Sequence, residues 1–283
     1  MNKSKNIVIT GVSTGIGYEL TRQLLDKGYR VFGSVRKRGD ADRLQSELGA
    51  QFTPLLFDVT DYSAMEKAVA VVAQEVGAEG LAGLINNAGI AVGGPLLHVD
   101  IKDFEYQFQV NVFGLVRCVQ LFAPLLGARQ EHQSLPGRII NIGSVSGKLG
   151  MPFVAPYVGS KFALEGISDS VRRELLLYGI DVVLIGPGPI KTPIWEKSIR
   201  MEPYYDTPYG EILQQFENGL VKKSIERGFT TDYLARRIVK VFEKRKPKTR
   251  YTMAPQALVN FYIPRLLPAR VLDGITKRLM RVK

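Results

Sequence analysis

The sequence predicts an α/β chain built on one doubly wound, mostly parallel sheet, folded as a single domain. Three observations carry that prediction. Short apolar runs alternate with segments whose apolar residues recur at helical spacing, from residue 5 to about 188. A glycine-rich turn, "TGVSTGIG" at 10–17, follows the first apolar run and opens the first helical segment. Polar or glycine-rich stretches also follow the later strands, which is where ligands sit on sheets of this type.

Taken in order, "KNIVITG" (5–11) is a short apolar run closing on glycine, hence a strand. "GYELTRQLLDKG" (17–28) has helical spacing and stops at Gly28, as a helix C-terminus does. "YRVFGSV" (29–35) is a second strand, and "DADRLQSEL" (40–48) a helix that Asp40 is placed to cap. "QFTPLLFDVT" (51–60) is a third strand with Pro54 near its start, and "SAMEKAVAVVAQEVG" (63–77) a helix with Ser63 as its cap. "LAGLINNAG" (81–89) is a fourth strand, followed by a helix over about 103–126. "LLGARQEHQSLPGR" (125–138) reads as a surface loop, "GRIINIGS" (137–144) as a fifth strand, 156–178 as a long helix and "IDVVLIGPG" (180–188) as a sixth strand. Repeated strand–helix–strand units require right-handed crossovers, which restricts the topology to helices on both faces of the sheet. No linker or internal repeat interrupts it. The expected layout is a cofactor half at about 1–135, a catalytic and substrate half at about 136–254 with a helical substrate loop, and a tail at 255–283.

Composition narrows the class. The chain has 283 residues and 45% hydrophobic content, enough for a sizeable core. Its single cysteine, Cys118, excludes an intrachain disulfide and suits a reducing, cytoplasmic compartment. "MNKSKNIVITG" contains no apolar secretory region, and no uninterrupted apolar run reaches the roughly 18 residues of a membrane span. From Arg236 to Lys283 fourteen Lys or Arg face two acids, so the +11 net charge belongs to the end of the chain. Such an end fits a nucleic acid, an anionic membrane or a solvated face. No nucleic-acid motif or aromatic-interleaved basic stripe accompanies it, so no nucleic-acid partner is expected. "PQALVNFYIPRLLPARVLDGITKRLMRVK" (255–283) mixes apolar and basic residues and is broken by Pro264 and Pro268. Peripheral contact with an anionic membrane, folding back over the substrate pocket, and packing at a subunit interface all suit it.

The chemistry-bearing residues follow the strands. Gly11, Gly15 and Gly17 let the backbone turn tightly and approach a pyrophosphate at a helix N-terminus. At the end of the second strand Val35 stands where a carboxylate would bind the ribose of NAD, and Arg36, Lys37 and Arg38 follow. A guanidinium grips a phosphate through paired N–H bonds, so NADP is the expected cofactor; a solvated basic loop is the alternative. Asp58, in "FDVTD" (57–61), is placed to accept from an adenine amino group, while Asn86 and Asn87 of "NNAG" either suit a crossing ligand or build the turn. Tyr157 and Lys161, in "YVGSK", share one helix face. An ammonium beside a phenol lowers its pKa and improves it as a proton-transfer group. The alternative for this pair is a buried helix tyrosine with a surface lysine. His98 and His132 have no ligand spacing, and no metal is expected.

TGxxxGxG, NNAG, Ser144 thirteen residues before Tyr157, Tyr-x-x-x-Lys and "PGPIKT" (187–192) occur in that order. The ordered set resembles the short-chain dehydrogenases/reductases, which have a Rossmann fold, over residues 5 to about 192. "SVRK" and the long tail are most similar to the hydroxysteroid and retinol dehydrogenase branch. The resemblance implies that Gly11, Ser13, Thr14, Gly15, Ile16 and Gly17 hold cofactor phosphates and ribose, with Arg36 at the 2′-phosphate. Asp58 and Val59 would contact adenine, and Asn87, Ala88 and Gly89 would pass along the cofactor. It makes Tyr157 the acid/base, Lys161 its assistant and ribose ligand, and Ser144 the group that positions the substrate oxygen. Asn111 would hold a relay water, and Pro187, Gly188, Ile190 and Thr192 would flank the nicotinamide.

The loops after the fourth, fifth and sixth strands should meet substrate. They are apolar and aromatic, with Trp195, Met201, Tyr204, Tyr205, Tyr209 and Phe216 in the last. Pockets of that composition suit a lipophilic alcohol, ketone or aldehyde, such as a steroid, retinoid or long-chain compound; alternatively the aromatics only pack a lid. Lys148 and Arg200 are the cations within reach. The expected activity is NADP(H)-dependent interconversion of a carbonyl and an alcohol, with a non-catalytic NADP(H) sensor or scaffold as the alternative. Through helices 103–126 and 156–178 the family pattern implies a homodimer or homotetramer, with Cys118 and Leu121 near the interface.

Overall fold

A computed structural model describes residues 4–129, 135–191, 201–217 and 222–280. Its strands are β1 (Asn6–Ile9), β2 (Arg30–Val35), β3 (Phe52–Leu56), β4 (Gly83–Asn86), β5 (Arg138–Ile142), β6 (Asp181–Pro187) and β7 (Arg250–Met253). They form one parallel sheet in the order β3-β2-β1-β4-β5-β6-β7. The order reverses between β1 and β4, which opens a crevice at their carboxyl ends. The longer helices are, in chain order, α1 (Gly15–Asp26), α2 (Arg38–Leu48), α3 (Tyr62–Val76), α4 (Ile101–Phe108), α5 (Gly114–Phe122), α6 (Ala155–Glu174), α7 (Gly210–Gln215), α8 (Lys222–Glu226), α9 (Thr231–Glu243), α10 (Ile263–Leu266) and α11 (Ala269–Leu279).

Central strands covered on both faces are mostly apolar, as in β1, where every residue, Asn6 included, is buried. One face packs on α1, α2 and α9 through Leu20, Leu24, Leu44, Leu234 and Ile238. The other packs on α3, α5 and α6 through Met65, Val72, Leu115, Phe122 and Leu164. Cys118 lies in this second core with no exposure, and burial pushes its thiol up to about 12.

The expected strands are all present but shorter at their carboxyl ends, because residues such as Phe57–Thr60 and Asn87–Gly89 leave the ladder to line the crevice. Pro54 lies mid-strand, which β3 tolerates because it is the sheet edge. Two caps differ from expectation. Asp61, not Ser63, caps α3, its carboxylate accepting from the Ala64 N–H at 2.9 Å. Lys37 holds the N-cap position of α2, leaving Asp40 in the first turn, where it pairs with Arg43 at 3.5 Å. Beyond residue 188 the structure adds α9 and β7; β7 escapes the apolar pattern because only Met253 of its four residues is buried.

Residues 101–126 run as one helical stretch that by length and composition alone could cross a membrane, but 61% of its apolar window is buried inside the protein. A π-helical turn at Gln109–Phe113 interrupts it. Such single turns widen a helix locally and concentrate at functional sites, and this one holds Asn111.

Candidate active site

The crevice is built first by close backbone approach. Gly11 has φ +71°, and a Cβ there would lie 2.9 Å from the Ala88 Cα. A Cβ on Gly17 would lie 2.2 Å from the Gly11 carbonyl oxygen and 2.5 Å from Asn87 Nδ2. The Asn87 amide donates to the carbonyls of Thr10 and Gly11, both at 2.9 Å. Thr10 Oγ1 in turn accepts from the N–H groups of Asn87 and Ala88, each at 2.9 Å. Asn87 therefore staples the glycine turn to the end of β4, which goes beyond building its own turn. Thr10, the first residue of the TGxxxGxG run but given no role there, is the other half of the staple. Thr14 stands at the α1 N-cap without a side-chain capping bond. The first-turn N–H groups thus face the crevice rather than a cap.

At the end of β2, Arg36 is exposed and lies 3.7 Å from Asp58, whose other oxygen is held by the Thr60 N–H at 2.9 Å and hydroxyl at 2.8 Å. An exposed pair at that separation contributes little, so the guanidinium can turn to a phosphate. From α2, Arg43 donates to the Ser13 carbonyl at 2.9 Å and steadies the glycine loop. Removing one charged partner of a phosphate costs about 1.5–3 kcal/mol, or roughly 10- to 150-fold. Arg36→Leu is therefore expected to raise the KM for NADPH by that factor and leave the KM for NADH unchanged. An equal loss with both cofactors would refute the assignment of Arg36 to the 2′-phosphate.

The π turn aims Asn111 inward. Its Oδ1 accepts from the Ile90 N–H at 2.9 Å, and its Nδ2 donates to the Ile90 carbonyl at 3.0 Å and Ser160 Oγ at 3.1 Å. Gln107 repeats the pattern one turn earlier, donating to the Ile90 carbonyl at 2.9 Å and accepting from the Val92 N–H at 2.6 Å. Ser160 closes the link by donating to the Tyr157 carbonyl at 2.8 Å. Gln107 and Ser160 were legible only as helix neighbours of Asn111 and Tyr157.

Ser144, Tyr157 and Lys161 converge beyond β5. Ser144 stands two residues past the end of β5, accepts from the Ser146 N–H at 3.1 Å and hydrogen-bonds Tyr157. Lys161 is buried, lies 5.7 Å from the centre of the Tyr157 ring, and donates to the Ile142 carbonyl at 3.0 Å. Lys161 is thus not the surface lysine of the alternative reading. The electrostatics differ from expectation. Burial raises the Tyr157 pKa, and the Ser144 hydrogen bond opposes that rise. Burial lowers Lys161 to about 8, because an ammonium loses hydration there.

The end of β6 is tied down on both sides. The Gly188 N–H donates to the Met253 carbonyl at 3.0 Å, and a Cβ on Gly188 would lie 2.5 Å from the Ala254 Cβ. Ile190 bridges Phe229. Thr192, Trp195 and Arg200 lie outside the described residues, as does His132. His98 packs edge-on against Tyr209 at 5.7 Å. Lys148 pairs instead with buried Glu165 at 3.5 Å; Glu165 also receives Arg250 at 2.9 Å, and so locks the turn after Ser144 to α6 and β7.

Above the trio sits an apolar roof. Ala91, Val154, Met201 and Leu213 are buried together, with Phe153, Tyr157, Val158, Tyr204, Tyr205 and Tyr209 packed against them. Phe153 holds φ +64°, and its ring meets Phe216 at 5.5 Å and Tyr209 at 6.0 Å. The aromatics of 201–217 therefore do pack a lid, and that lid abuts Tyr157.

A stapled glycine turn at the switch point and a Ser–Tyr–Lys trio beyond the next strand define a dinucleotide-dependent oxidoreductase. The profile of the family described as short chain dehydrogenase matches residues 5–203, and the chain belongs to that family. Among its relatives is the NADPH-dependent 3-dehydrocapnine reductase of Ornithobacterium rhinotracheale, 44% identical over 95% of this chain and 94% of the relative. Dehydrogenase/reductase SDR family member 9 of Homo sapiens is 32% identical over 79% of this chain and 69% of its own. A short chain dehydrogenase from Burkholderia cenocepacia, solved in complex with NADP, superposes with a TM-score of 0.74 at 21% identity, covering 97% of this chain and 98% of that one. The chain is an NADP(H)-dependent oxidoreductase of that family. Its donor set fits that cofactor: glycines at contact distance, uncapped amides at α1, and arginine in place of a ribose-binding acid.

Proposed function

We propose that this enzyme reduces a carbonyl on a lipophilic substrate to an alcohol, with Tyr157 as the proton donor. The observation that carries the reading is the double placement of Tyr157, hydrogen-bonded to Ser144 and packed against the aromatic roof. Bound NADPH supplies the hydride. Gly11, Ser13, Thr14, Gly15, Ile16 and Gly17 would hold its phosphates and ribose, with Asp58 and Val59 at adenine. Asn87, Ala88, Gly89, Pro187, Gly188, Ile190 and Thr192 would orient the nicotinamide half. Ser144 donates to the substrate oxygen and stabilises the charge that grows there. Tyr157 keeps its proton at working pH because burial raises its pKa, which suits it to the reductive direction. Lys161 would stabilise the phenolate left behind and would bond ribose hydroxyls. Asn111, bonded to Ile90 and linked through Ser160 to Tyr157, fixes the route by which the proton is replaced.

The phenol stays protonated well above neutrality, so the lysine sets the alkaline limb. kcat/KM for reduction should be level below about pH 8 and fall above it as Lys161 loses its proton. Lys161→Met should turn over slowly and lose that limb; a limb unchanged in the variant would refute the role of Lys161.

The decisive assay follows NADPH consumption with 3-dehydrocapnine, the compound in the name of the 44% identical relative, alongside steroids, retinoids, long-chain aldehydes and small polar ketones. Preference for long-chain or polycyclic carbonyls supports the reading. Turnover confined to small polar ketones overturns it. Exposed Tyr106, Phe113 and Phe162 on α4, the π turn and α6 favour a homodimer or homotetramer through these helices, which sedimentation velocity checks.

A further inference from the structure

We infer that the chain beyond β7 is a docking arm for anionic lipid bilayers, and that it holds the substrate entrance at the membrane surface. From Pro255 to Met280 only Phe261 is buried, clamped by the guanidiniums of Arg250 and Arg265, each 5.1 Å from its ring centre. Leu258, Val259, Leu266, Val271, Ile275 and Leu279 are all exposed, Leu266 to 84%. Apolar residues exposed in such a run mark an interaction surface, whereas isolated ones do not. On α11, Val271, Ile275 and Leu279 recur every four residues and form one stripe. At about 100° per residue Arg278 borders the stripe, whereas Arg270 and Lys277 lie on the opposite, polar face of the helix; Asp273 is the one acid from 255 to 283 against six Lys or Arg. An apolar stripe opposite a basic polar face is the pattern of a helix lying in the headgroup plane.

Charge decides between occupants. A second copy meeting this face isologously would bring two Arg278 side chains and two arms of net charge +5 together. Anionic headgroups complement it, at about fivefold in partition per Lys or Arg near the surface. The arm is rooted beside the site, since Ala254 abuts Gly188 and the Gly188 N–H bonds Met253. Docking would therefore present the carboxyl edge of the sheet to the bilayer. That consequence rests on the proposed lipophilic substrate; the binding itself does not.

Co-sedimentation tests it with the full chain and no substrate. The protein should pellet with vesicles of phosphatidylcholine mixed with phosphatidylglycerol, weakly with phosphatidylcholine alone, and less as salt rises. The combined variant Arg270→Glu, Lys277→Glu, Arg278→Glu should partition at least about a hundredfold less. Val271→Asp with Ile275→Asp should also lose binding. NADPH titration of each variant should match the parent, showing an intact fold. The inference is overturned by equal binding to neutral and anionic vesicles, by none to either, or by charge-reversed protein that binds as before. Parent protein that ignores vesicles while Val271→Asp with Ile275→Asp dissociates an oligomer would assign the face to a second copy instead. None of these outcomes depends on which carbonyl is reduced.

Discussion

Tyr157→Phe is expected to lower kcat by about 10²- to 10⁴-fold, the range for a lost general acid, with NADPH affinity close to parental. The substitution removes one hydroxyl and keeps the ring, so the roof of Val154, Met201 and Leu213 keeps its packing partner. Ser144 loses the Tyr157 bond but still accepts from the Ser146 N–H. Fluorescence titration separates cofactor binding from turnover. Near-normal kcat with intact binding would remove Tyr157 from the chemistry and leave the trio a packing motif. Joint loss of both activities would make the hydroxyl a structural group.

Gly17→Ala should cause the largest loss of NADPH affinity from a single methyl group. Its Cβ would meet the Gly11 carbonyl oxygen at 2.2 Å and Asn87 Nδ2 at 2.5 Å. Both are parts of the staple, and neither is the free end of a flexible chain. To make room, the Asn87 amide must give up its bonds to Thr10 and Gly11, and overpacking of this kind costs about 1–3 kcal/mol. The expected result is a lower denaturant midpoint and NADPH binding weakened about tenfold or more. Gly166→Ala is the control. A Cβ there meets nothing within 4 Å on α6, so the change should stabilise by up to about 1 kcal/mol through helix propensity. Equal behaviour of the two variants would show that the glycine turn carries no steric constraint.

The fold and most of the site were legible because both are written in local order. Apolar runs of strand length, helices ending near glycine, and polar turns after strands identify a parallel sheet and its ligand edge. The same holds for Tyr157 and Lys161, whose spacing alone puts them on one helix face. What local order does not carry is who meets whom across the sheet. Asp61 rather than Ser63 caps α3, because a cap is chosen by backbone geometry over a single residue. β7 is half-exposed at the sheet edge and so lacks the apolar signature. The partners of Lys148 and Asn87 lie at Glu165 and Thr10, far off in the chain.

By itself, then, the order of residues determined the sheet, the cofactor turn, the Ser–Tyr–Lys trio and the preference for a phosphorylated ribose. Only the tertiary structure decided the protonation balance of that trio, in which burial raises the phenol and lowers the ammonium. It alone also decided that Tyr157 packs against the cluster of Val154, Met201 and Leu213 while the apolar residues of the tail stay outside. The reason is physical: hydration and contact are set by neighbours brought together from distant parts of the chain, and spacing along the chain does not encode their distance.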